Sequence, residues 1–162
     1  MAFTICLKVG SIKGESLIAK HEGEIDVLSW HWGLTQSHSG QTGSKLGTGT
    51  ADVKDLTIVK YVDAASPTLI QECFYGTDQT SAILTVIRAA GKEALEFLKI
   101  TMSGIVIVSS VASGDPLPNV ADRYSETLTL NFSKVKFEYT PLGAGNAKGA
   151  TAVGEFSIIR QG

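Results

Sequence analysis

The sequence has little of what most functional classes require. Its 162 residues hold two cysteines, Cys6 and Cys73. Two are too few for a disulfide framework, and alone they make no metal site, so both read as free thiols, Cys6 on a strand and Cys73 on a helix. The formal net charge is only −2, which gives no field for nucleic acid or an anionic membrane. No basic patch interleaved with aromatics occurs. No apolar run reaches the roughly 18 residues of a membrane span. The start, Met1-Ala2-Phe3-Thr4-Ile5-Cys6-Leu7-Lys8, lacks a basic region followed by a long apolar run, so it does not read as a secretory signal. The expectation is a single domain, 1–162, made and folded in the cytoplasm, without membrane insertion.

Catalytic patterns are missing too. There is no Gly-x-Ser-x-Gly elbow, no Gly-x-x-x-x-Gly-Lys-Ser/Thr loop and no dinucleotide fingerprint after a strand. The histidines, His21, His31 and His38, have no His or Cys partner at ligand spacing,. His21 and Glu22 with Glu24 and Asp26 make a weak cluster. Glu93 and Glu96 sit beside a turn and read as solvated. The sequence thus predicts no catalytic residue, no cofactor and no metal.

What is abundant is glycine, 17 residues, together with period-two alternation. The stretch Glu24-Ile25-Asp26-Val27-Leu28-Ser29-Trp30-His31-Trp32-Gly33-Leu34 carries both tryptophans. Leu28, Trp30, Trp32 and Leu34 alternate with Ser29, His31 and Gly33, which predicts one strand with a dry and a wet face. Each tryptophan can bury roughly 150–250 Å², so Trp30 and Trp32 are the expected core anchors. Ser29 and His31 are left on the wet side.

Alternation also predicts strands over 3–9, 53–62, 82–90, 94–102, 105–112 and 153–160. Leu56, Ile58 and Lys60 fall on one face, Thr57, Val59 and Tyr61 on the other. Gly104 is expected to break the chain between two strands. In 125–139 the apolar set changes phase: Leu128, Leu130 and Phe132 are even, Val135, Phe137 and Tyr139 odd. A bulge or barrel corner near Ser133-Lys134 keeps both halves inward. One helix is expected: Ser66 as N-cap, Pro67 at the first position, Leu69, Ile70, Cys73 and Phe74 on one face, Gly76 as stop. The loop from Gln36 to Thr50 has four glycines and almost nothing apolar, a length that is often functional. Together these predict a mainly β protein, an antiparallel barrel of about 7–8 strands with one flanking helix.

Gly14-Glu15-Ser16 followed by the tryptophan stretch resembles the haemolysin-coregulated protein family, Hcp, of the bacterial type VI secretion system. Lys60-Tyr61-Val62-Asp63 leading into Ser66-Pro67, then Val108-Ser109-Ser110-Val111, Thr129-Leu130-Asn131-Phe132 and Tyr139-Thr140-Pro141 are similar to that family in the same order. The loops 36–50 and 114–122 match least. The resemblance implies a β-barrel assembled as a homo-hexameric ring. It also implies rings stacked into a tail tube, with a sheath and a tip spike as partners and effector proteins in the lumen. Export without a signal peptide follows from it as well. Some members carry a toxic C-terminal domain; here the chain ends at Gly162, just after its last strand, so none is expected. Within a ring, Ser29 and His31 would face the lumen and cargo. The loop holding Gly40, Gly43, Lys45, Gly47 and Gly49 would contact the next ring. The alternative is a lipocalin-like ligand barrel, which needs a hollow apolar interior.

Overall fold

A computed structural model describes residues 3–37, 51–90, 93–114, 123–143 and 148–158. Among them are eleven strands and one helix. The strands are β1 (Phe3–Val9), β2 (Ile25–Val27), β3 (Ser29–His31), β4 (Leu34–Gln36), β5 (Ala51–Val53), β6 (Leu56–Tyr61), β7 (Gln79–Ala90), β8 (Glu93–Ser113), β9 (Ser125–Asn131), β10 (Lys134–Tyr139) and β11 (Ala152–Ser157); the helix is α1 (Ser66–Tyr75). The hydrogen-bonded order is β2-β1-β7-β8-β9-β6-β3, with β10 pairing β8 and β11, and β4-β5 as a separate hairpin. Every pairing is antiparallel.

The mainly β class with one helix is as expected, but the strand count differs because the chain is cut in other places. Gly104 does not break a strand. It has φ +62°, and a Cβ there would lie 2.3 Å from Ser133 Oγ. The glycine lets β8 bend and continue where a partner strand presses against it. The Ser133 N–H and hydroxyl both donate to the Ser103 carbonyl, at 3.0 and 3.1 Å. Thus β9 and β10 follow β8 around one shared corner: Asn131 pairs with Val106 and Lys134 with Ser103. The phase change in 125–139 is this corner.

The tryptophan stretch is not one strand. β2 pairs with β1, β3 with β6 and β4 with β5. Leu28 lies at the crossing, 47% exposed, and its N–H reaches the Val59 carbonyl at 2.8 Å. The inward positions are Ile25 and Val27 before the crossing and Trp30 after it, so the phase shifts there. β2 and β3 are the two ends of the strand order, and only the Leu28 crossing joins them. The barrel is therefore open along this seam.

The interior is filled. Leu7, Ile25, Leu56, Ile58, Leu84, Met102, Ile105, Leu128 and Leu130 are fully buried in one cluster. Each contributes about 1.5–3 kcal/mol by leaving water. Trp30 and Trp32 are half-buried and pack against this cluster from its margin. The Trp32 ring lies 6.0–6.2 Å from Phe132, Phe137 and Phe156, and its Nε1–H donates to the Lys54 carbonyl at 2.9 Å.

Gly76 ends α1 in the left-handed region, φ +61°. The N-cap is Ala65, not Ser66. Ser66 has another task. Its hydroxyl donates to Glu126 (2.8 Å) and accepts from the Asp63 N–H (2.9 Å) and Lys60 Nζ (3.1 Å). Only Leu69 and Cys73 of the expected apolar face turn inward; Ile70 is 47% and Phe74 82% exposed.

Lys60 follows the alternation of Leu56 and Ile58 and is wholly buried. Across the ladder stands Glu126, which takes its ammonium in an ion pair. Asp63 Oδ1 (2.9 Å) and the Tyr61 carbonyl (2.8 Å) complete the shell. A lysine survives burial only when so enclosed, and this set fastens the start of α1 to the sheet.

Candidate functional site

The sheet β8-β9-β6-β3 has one face on the core and one facing away from it. Register places the outward residues in rows across the four strands. His31, Thr57, Thr129 and Ser109 form one row; Ser29, Val59, Thr127 and Val111 the next; Tyr61, Ser125 and Ser113 a third. None of these residues is acidic, and none is Lys or Arg. Ser29 and His31 are exposed, with Trp30 on the opposite side. Among the described residues charge enters at two margins: the Arg123 guanidinium lies 4.6 Å over the Tyr61 ring, and at the opposite end Asp55 accepts from Asn131 Nδ2 at 2.8 Å. The face offers hydroxyls, one imidazole per chain and small apolar groups. Such a surface forms single, solvated hydrogen bonds and exerts no long-range field.

Among the described residues both lateral edges of this sheet are open, and β3 pairs only with β6. In β8, pairing with β7 ends at Ile105, so residues 106–113 have β9 on one side and, among the described residues, no strand on the other. Open edges carry unpaired N–H and C=O groups and invite another chain.

The other outward face, over β1, β7, the first half of β8, β10 and β11, is charged. Lys8, Lys99, Lys134, Lys136, Glu138 and Glu155 share it. Lys134 Nζ lies 2.8 Å from Glu155 and Lys136 Nζ 3.1 Å from Glu138. The hydrogen bond from Lys134 holds the Glu155 carboxyl below its ordinary range.

On that face the segment 10–24 folds over β1 and β7. Cys6 points outward from β1, opposite to Leu7 and Val9, yet is fully buried beneath this segment. Its Sγ lies 3.8 Å from Ser16 Oγ. Burial pushes the thiol up to about 11, helped by Glu24, Asp26 and Glu96. His21 is buried beside it, Nδ1 2.8 Å from Glu24 Oε2 and Nε2 2.9 Å from Glu96 Oε1. Glu96 is therefore not merely solvated, and Glu22 and Asp26 of the weak cluster are exposed. The sequence placed Cys6 and His21 in separate segments, and no local spacing signals their meeting. His38, Gly40, Gly43, Lys45, Gly47 and Gly49, the loop expected to contact the next ring, lie outside the described residues, as does 115–122.

Comparison with known proteins matches this architecture. Residues 6–139 match the family described as type VI secretion system effector, Hcp. The chain is 40% identical over 161 residues to protein hcp1 of Pseudomonas aeruginosa, covering 99% of this chain and 98% of that one. Among solved structures it is similar to Hcp1 from Salmonella typhimurium, with a TM-score of 0.79, 34% identity and 98% and 96% of the two chains covered. It is also similar to a structure described as a type six secretion system protein, with a TM-score of 0.85, 25% identity and 97% and 96% covered. No helix among the described residues is long and apolar enough to cross a membrane. With a family match over most of its length and relatives covering nearly all of it, this chain belongs to the Hcp family of type VI secretion proteins.

Proposed function

We propose that the chain is the repeating unit of a type VI secretion tube, six copies closing into a ring whose channel is walled by the uncharged sheet face. One observation carries the reading: a four-stranded sheet with an uncharged outward face and two open edges. Edge β3 of one copy meets residues 106–113 of β8 in the next, a head-to-tail contact that satisfies both edges and closes when the rotation per copy is right. Ser29 and His31 then repeat around the channel and touch cargo. The absence of fixed charge there keeps contacts weak enough for an effector to be released. The charged face over β1, β10 and β11 turns outward, toward the sheath. Rings form in the cytoplasm, stack below the tip spike through the loop of Gly40, Gly43, Lys45, Gly47 and Gly49, and leave with the tube.

Light scattering coupled to size exclusion, followed by electron microscopy, tests the ring. Six copies per particle around an open channel are expected. A monomer at micromolar concentration overturns the reading. Replacing residues 40–49 with a short turn should keep the ring and abolish stacking; shortened rings that still stack place that contact elsewhere.

A further inference from the structure

The segment 10–24 is held over the charged face by more than its own backbone turns. Beneath it, Cys6 Sγ, a ring nitrogen of His21 and a carboxylate oxygen of Glu24 all lie within 4.8 Å of one another. We propose that these three side chains form a binding site for a thiophilic divalent cation of the zinc class, with Glu96 orienting the imidazole from its far side.

The hydrogen-bond chemistry of His21 is the starting point. Both ring nitrogens face carboxylate oxygens, Nδ1 toward Glu24 and Nε2 toward Glu96. Ionised carboxylates only accept. A neutral imidazole has one N–H and satisfies one of these contacts, so the pair of carboxylates calls for a second positive centre on the ring, either a second proton or a metal ion. With the N–H on Nε2 and given to Glu96, the Nδ1 lone pair faces a Glu24 oxygen, and a cation bound to both takes the place of that second proton. A carboxylate holding the distal N–H is also the arrangement that fixes the tautomer of metal-ligating histidines.

Cys6 supplies the third donor. It is fully buried, and its polar contact is the long 3.8 Å approach to Ser16 Oγ. Glu24, Glu96 and Asp26 surround it with negative charge, which disfavours a bare thiolate and favours a bound cation. Sulfur, imidazole nitrogen and carboxylate oxygen are the zinc donor types, and a water completes a tetrahedron. Ligands around tetrahedral zinc stand about 3.3–3.7 Å apart; the three donors lie within 4.8 Å of one another, so the widest separation closes by roughly 1 Å while Nδ1 and the Glu24 oxygen, 2.8 Å apart, open by about 0.5 Å. Loop, strand and histidine would then be tied at one point. Because Glu15 of the same segment accepts from the Ala64 N–H (3.0 Å), the tie also steadies the approach to α1.

The test is titration of chelator-treated protein with Cd²⁺ and Co²⁺, followed by absorbance, and with Zn²⁺ followed by calorimetry and thermal melting. One ion per chain, a thiolate-to-metal charge-transfer band and a higher Tm with Zn²⁺ are expected. Cys6→Ser should abolish the band and Cys73→Ser should keep it. Glu96→Gln should weaken binding by about tenfold. Metal-free melts of the variants close to that of the parent establish that they fold. Should Cys6→Ser fail to fold, the donor set is read from the ¹¹³Cd resonance of the parent, which reports a sulfur ligand or its absence. No saturable binding to folded protein, or binding untouched by Cys6→Ser and without a sulfur ligand, overturns the site and leaves a proton between His21 and Glu24. Neither outcome bears on ring formation.

Discussion

The two outward faces of this protein are built by the same strand alternation, and β8 runs through both, yet they differ in charge. Over β1, β10 and β11 the outward positions hold Lys8, Lys134, Lys136, Glu138 and Glu155. Over β9, β6 and β3 the equivalent positions hold Ser29, His31, Thr57, Thr127 and Thr129. In a lone chain both faces meet water, and charged residues would be tolerated on either. Folding therefore does not account for the uncharged face. The proposed ring does: if the face walls a narrow channel, six like charges on each row would repel across it.

The inside of the uncharged sheet is where the largest effect is expected. Lys60→Ala leaves Glu126 and Asp63 buried without their cation, and losing one partner of a buried pair costs about 3–5 kcal/mol; urea denaturation should show that loss. Trp30→Ala comes next. Truncating a buried aromatic costs about 3–5 kcal/mol, and half-burial puts Trp30 at or below the low end, read in the same assay. On the outside of the same sheet, Thr129→Glu should change the stability of the isolated chain by less than about 0.5 kcal/mol, while light scattering shows fewer closed rings. The matched change on the charged face, Lys136→Ser, should alter neither. A ring equally sensitive to both would erase the distinction between the faces.

Alkaline titration sharpens the view of the covered part of the charged face. The Cys6 thiol is raised in the folded protein, from 9.0 to about 11. The fold therefore holds that proton more tightly than the unfolded chain does. Its contribution is complete below about pH 9 and is lost as pH rises toward 11. Melts of metal-free protein across that window should decline for the parent and less steeply for Cys6→Ser. Alkylation should reach Cys73 before Cys6.

Much of the fold was legible because period two survives wherever a strand has one buried face. Leu7 and Val9, Leu84, Ile100, Leu128 and Leu130 were readable this way, and so was the corner at Ser133. The side of Lys60 was readable too, since it continues the Leu56 and Ile58 face, but its carboxylate partner Glu126 stands on a strand far away in sequence and shows only in the register. The seam at Leu28 has a sequence signal, the phase change from Ile25 and Val27 to Leu28 and Trp30, but the clean alternation from Leu28 to Leu34 masks it, because the pairing partner changes where two apolar residues stand side by side. Gly104 misled because a glycine that ends a strand and one that bends it look alike in sequence. Ile70 and Phe74 have helical spacing for a buried face but lie beyond the reach of the sheet. Ser29 and His31 were identified from local alternation alone, whereas the uncharged rows they belong to depend on register among four separated strands. The meeting of Cys6, His21 and Glu96 depends on a segment folding over the sheet, which no local pattern encodes.

The central claim is that the uncharged face points into the ring. Spin labels test it most directly. In a Cys73→Ser background, one cysteine replaces His31 on the uncharged face or Lys136 on the charged face, and distances between labels are measured within the assembled ring. The account predicts a shorter set of distances for position 31 than for position 136, because the first lies nearer the ring axis. Equal sets, or a shorter set for position 136, would contradict it.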